Sequence, residues 1–121
     1  MKRRWWGVTL DAPDAAELAR FYARLLNWQV GPSGLFVAPS PDAGYYLGFQ
    51  TEPHYKRPVW PADQGDQQQM QMHLEIEVDS LDEAVSNAVA AGATPADFQP
   101  QPNVRVMLDP AGHPFCLYVD A

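Results

Sequence analysis

One cysteine, three histidines and eight basic residues against 15 acidic ones are what this 121-residue chain has least of. A lone Cys116 cannot close an intrachain disulfide. That usage fits a reducing compartment, and the cytoplasm is the expected location. A formal net charge of −7 argues against a phosphate-backbone partner, which needs clustered Lys and Arg. The single basic run, Lys2–Arg4, is too short to make a patch. No apolar run approaches the roughly 20 residues that span a membrane. The opening "MKRRWWGVTLDAPD" reaches Asp11 too soon for a secretory signal. Also missing are G-x-S-x-G, G-x-G-x-x-G, a phosphate-binding P-loop and C-x-x-C, and with them the chemistries those motifs carry.

What is present is an ordinary globular composition, 46% apolar and 19% charged, in a length suited to one domain with a real core. Trp5–Asp11 alternates and predicts a strand, with Trp6, Val8 and Leu10 on one face. Asp14 and Glu17 form a capping box behind Pro13. In the helix they open, Leu18, Phe21, Tyr22, Leu25 and Leu26 make one core-facing stripe. Short β-type runs follow at Trp28–Val30, Leu35–Ala38 and Tyr45–Gln50, separated by Gly and Pro. Thr51–Gln69 has three prolines and no periodicity, and is expected to be a linker with a few anchoring aromatics and a solvated His54.

The pattern then restarts. Met70–Asp79 predicts an alternating strand, with Met72, Leu74, Ile76 and Val78 on one face and His73, Glu75 and Glu77 on the other. Ser80 and Glu83 form a second capping box, Leu81, Ala84, Val85, Ala88 and Val89 a second inner stripe, and Gly92 a stop. Further strands are expected near Asp97–Phe98, at Val104–Leu108 and at Phe115–Val119. One shift of 66 residues carries Asp14 onto Ser80 and Glu17 onto Glu83. The order is thus β-α-β-β-β twice, an internal duplication. The predicted class is α+β: two tandem modules, about 5–50 and 70–120 around the linker 51–69, form curved mixed sheets about a central cavity in a single domain, helices outside.

The closing "DPAGHPFCL" brings His113 within three residues of Cys116. An odd spacing on a strand puts the two side chains on opposite faces, so they are not expected to form a nucleophile pair. His113 is placed at the strand entrance on the outer face, Cys116 as a small, half-apolar buried residue.

Taken together, "PDAAELARFYARLLNW", "HLEIEVDSLDEAVSNAVAAGA" and "VMLDPAGHPFCLYV" resemble the vicinal oxygen chelate superfamily, which includes glyoxalase I, extradiol dioxygenases and the bleomycin and fosfomycin resistance proteins. The likeness is greatest to its small glyoxalase-like subgroup, through Trp60-Pro61, the Gln68–Leu74 entry and the DPxGHPFC ending. The resemblance implies the glyoxalase/bleomycin resistance fold and up to four cavity-facing metal ligands. Carried over, the first position is Gly7, the third His73 and the fourth Cys116. The second is Gln50 by the 66-residue shift or Gly48 by the "DAG" turn.

Gly7 offers no donor, and an amide, an imidazole and a thiol make an ill-matched set. No cofactor is therefore expected; a divalent metal, if bound, would take His73, Gln50 and Cys116. Glu75 and Glu77 share the His73 face, although alternate residues on a strand stand about 6.7 Å apart. His73 and Glu75 are the candidate catalytic acid and base. Trp5, Tyr46, Gln50, Trp60, His73, Glu75, Glu77, Cys116 and Tyr118 are the candidate ligand-binding residues, suited to a planar or cationic small molecule. Trp60 serves equally well in a pocket or at an interface. Three functions stay open: a metal-free small-molecule binder; a superfamily lyase, isomerase or oxygenase using His73 with a metal or carboxylate; and a structural or regulatory module with a vestigial cavity. The expected assembly is a homodimer, with no nucleic-acid or membrane partner.

Overall fold

Alternating apolar residues give the first strand of each module one sheltered face, and the two capping boxes set where each helix begins. A computed structural model describes residues 4–120. It contains ten elements in the order β1 (Trp6–Ala12), α1 (Ala15–Leu26), β2 (Gln29–Val30), β3 (Phe36–Ala38), β4 (Tyr45–Thr51), β5 (Leu74–Glu77), α2 (Leu81–Ala91), β6 (Thr94–Pro95), β7 (Val104–Leu108) and β8 (Pro114–Tyr118). These build an α+β fold of two tandem β-α-β-β-β modules, each with one mixed four-stranded sheet. The orders are β1-β4-β3-β2 and β5-β8-β7-β6. In both, the first and last strands of the module lie side by side and parallel, and the remaining neighbours are antiparallel. Contacts divide the chain into two compact units between Tyr55 and Lys56.

In the first unit, the Asp14 carboxylate accepts from the Glu17 amide and starts α1, and Asn27 ends it in the left-handed region. Leu18, Phe21 and Tyr22 are buried. Tyr22 stacks on Phe49 of β4 at 5.7 Å, which fixes the helix-facing side of the sheet. Because strand side chains alternate, Tyr46, Gly48 and Gln50 face the other way, together with Gly7 and Thr9 of β1.

In the second unit, the Ser80 hydroxyl accepts from the Glu83 amide and Gly92 closes α2. Here three expectations are corrected. The strand predicted over Met70–Asp79 is ordered as a ladder only at Leu74–Glu77. Leu74 pairs with Phe115 on β8, so His73 would stand opposite Pro114, which has no amide hydrogen, at a turn closed by Asp109. The strand expected near Asp97–Phe98 lies instead at Thr94–Pro95. The Gln99 side chain explains the difference: its amide oxygen accepts from Val106 N–H and its NH2 donates to Val106 C=O, replacing the ladder there. Finally, Val89 is exposed, not part of an inner stripe, and only Ala88 of α2 is buried.

The Pro-rich stretch after Tyr55 packs on the second unit. Val59 N–H donates to Gln68 C=O, Trp60 lies 5.7 Å from Phe98, and Arg57 covers Gly112 while donating to Pro110 C=O. Gly112 has φ +90°, and a Cβ there would meet Arg57 side-chain atoms at 2.5 Å. Among the described residues, no helix is long and apolar enough to cross a membrane.

Candidate functional site

Each unit carries its own concavity on the sheet face opposite its helix. In the first unit the pocket measures about 1100 Å³, with Trp5, Tyr46 and Gln50 in its wall together with Thr9, Leu35 and Phe36. Tyr46 sits in the middle of an aromatic wall. Its ring lies 6.4 Å from Trp5 and 5.7 Å from Phe36, inside the range of direct ring contact. A Cβ on Gly7 would come within 2.5 Å of the Tyr46 ring, so the ring fills the volume a side chain at position 7 would need.

The parallel ladders decide which first-module residue corresponds to Cys116. Thr9 pairs with Gly48, and Glu75 with Cys116. Thr9 and Glu75 are related by the same shift that relates the helix caps. Gly48 is therefore the counterpart of Cys116, and Gln50 lies one pleat further along β4. Neither Gly7 nor Gly48 carries a donor, so of the first-module positions that the resemblance names only Gln50 offers one, an exposed amide. The four-ligand set that the resemblance implies does not fit these residues.

The second unit holds a smaller pocket of about 530 Å³ that gathers Trp60, His73, Glu75, Cys116 and Tyr118. Glu77 shares their face but does not line it, and Gln50 belongs to the other unit. His73 Nε2 stands 3.2 Å from Glu75 Oε2. One donor atom each from His73, Glu75 and Cys116 lies within 4.8 Å of the others. Long side chains thus close the gap that strand spacing alone leaves between His73 and Glu75. Burial pushes the Cys116 thiol up from its ordinary pKa, and the negative charge of Glu75 adds to the shift.

His113 is turned elsewhere. Its Nδ1 lies 2.8 Å from Oδ2 of the buried Asp109, whose Oδ1 also accepts from the amides of Ala111 and His113. The pair closes the turn into β8 and leaves Cys116 to the pocket. The contribution of Phe36 was not legible in sequence, because its place beside Gly48 depends on the β3–β4 register. Thr9 had a signal, its shared parity with Trp5 and Gly7.

The family described as a glyoxalase-like domain matches residues 7–118. No curated protein matches this sequence. Among solved structures the chain is similar to a glyoxalase/bleomycin resistance protein/dioxygenase family enzyme from Burkholderia phytofirmans, at 20% identity over 93% of this chain and 95% of that one, TM-score 0.64. It is similar to the genomically encoded fosfomycin resistance protein FosX from Listeria monocytogenes, at 16% identity over 100% and 96%, TM-score 0.68. A glyoxalase-related enzyme from Fulvimarina pelagi aligns at 20% identity over 98% and 89%, TM-score 0.64. At these identities the structural likeness carries the fold alone.

Proposed function

This chain belongs to the glyoxalase-like domain family, and on that premise we propose that it is a small-molecule binding protein whose metal site is degenerate. The observation that supports this reading is the Tyr46 ring over Gly7: the first ligand position has neither a donor nor room for one. With Gly48 opposite Thr9, the first module presents a wall for stacking where a metal site would need donors. The ligand class we infer is planar or cationic, held against aromatic rings. Dialysed protein offered Ni, Zn, Mn or Fe should retain none in stoichiometric amount. One equivalent that disappears in His73→Ala overturns the metal-free reading.

A second reading, an enzyme working in the second module, draws on one observation: the donor atoms of His73, Glu75 and Cys116 lie together. Nitrogen, oxygen and sulfur from one module suit a borderline ion such as zinc. Without any ion, an imidazole beside a carboxylate can take and return a proton. The same metal titration separates the metal-dependent form of this reading from the first. We further propose a homodimer that works in the cytoplasm.

A further inference from the structure

We propose that the ligand is an uncharged, flat, multi-ring molecule, and that it stacks on the Trp5–Tyr46–Phe36 wall of the first module. This rests on the binding reading above and narrows it. Three observations carry the inference. First, among the described residues no Asp, Glu, Lys, Arg or His lines the 1100 Å³ pocket. A cation entering it would lose water with no carboxylate among the described lining residues to replace it, and an anion would meet no basic group among them. The chain's net charge of −7 opposes an anion further.

Second, the rings touch one another instead of flanking a gap. Trp5–Tyr46 and Tyr46–Phe36 centroids are 6.4 and 5.7 Å apart. A cation is enclosed by rings that stand apart around it; these rings touch at interplanar angles of 44° and 66°, so a flat molecule stacks on one ring face and meets the edges of its neighbours. Third, the polar groups in reach are neutral. Thr9 contributes a hydroxyl and Gln29 and Gln50 contribute amides, which donate and accept hydrogen bonds without charge. They fit hydroxyl, carbonyl or ring-nitrogen groups on the edge of a flat molecule. Gly7 and Gly48 complete the device, since a side chain at either would meet the Tyr46 ring or Thr9.

The test is calorimetric titration of the full chain at neutral pH with three probes of one ring size: 2-naphthol, 2-naphthoate and N-methylquinolinium. The expected result is 2-naphthol bound at least tenfold more tightly than either charged probe. Tyr46→Ala and, as a second variant outside the sheet, Trp5→Ala should each weaken it at least tenfold. Val89→Ser on the exposed face of α2 should leave it unchanged. A cation or anion bound as tightly as 2-naphthol overturns the charge class while leaving the binding reading standing. Unchanged affinity in both aromatic variants overturns the placement on this wall. Failure of all three probes to bind overturns the inference, while the binding reading stands or falls on the metal titration above.

Discussion

At Gly7 a single missing Cβ decides what the first module can do. A methyl group there would press into the Tyr46 ring at 2.5 Å, and the ring has Trp5 and Phe36 against it. Gly7→Ala should therefore destabilise the protein by about 1–3 kcal/mol, the usual cost of overpacking. In a Tyr46→Ala background the same change should cost far less. Chemical denaturation of the four members of that cycle measures the coupling, and additive effects would show that the contact is soft. Cys116 offers a cleaner probe because it is the only thiol. Burial and the Glu75 carboxylate both disfavour its thiolate. Glu75→Gln removes the like charge, so the pH midpoint of iodoacetamide alkylation should move down. The raised pKa also has a sign for stability: it contributes fully below the unfolded thiol's pKa and is lost as pH rises through the folded one. Asp109 is a structural residue by the same kind of reasoning. Its buried carboxylate serves two amides and the His113 ring, so Asp109→Ala should cost at least about 2 kcal/mol, with Asp109→Asn milder because an acceptor oxygen remains. Thermal unfolding checks both.

At the scale of elements, the two helices are unequal despite their matching caps. Helix α1 buries Ala15, Leu18, Ala19, Phe21 and Tyr22, whereas α2 buries Ala88 alone. Local opening follows the apolar surface that holds an element down. Amide exchange in α2 should accordingly be faster than in α1, and Val89→Ser should fall within about 0.5 kcal/mol of the parent. Equal protection of the two helices would contradict this. Periodicity and capping chemistry made both helices legible, because a cap and its third residue act within one turn. The short strands were less so. Where β5 begins depends on Pro114 of a strand far along the chain, and where β6 ends depends on the Gln99 side chain reaching Val106. Neither partner can be named from local pattern.

For the whole molecule, the duplicated order of elements follows from the caps repeated 66 residues apart and the two alternating first strands, while the family rests on the resemblance carried by motifs such as DPAGHPFCL and on the matching family model. The proposed dimer belongs to this scale. Light scattering should give twice the chain mass at micromolar concentration, and a monomer mass would retract that part of the proposal. The sequence by itself determined the α+β class, the two modules, and the absence of a donor at position 7, because these depend on residue identity and short-range periodicity. It also separated His113 from Cys116, since side chains at odd spacing on a strand diverge. Only the tertiary structure decided that Tyr46 fills the place left by Gly7 and that Gly48 rather than Gln50 matches Cys116. It alone split the nine expected ligand-binding residues between two pockets, with Glu77 in neither. Those outcomes turn on strand register and side-chain direction, which arise when residues distant in sequence pair, and a shift of one residue would have reversed each of them.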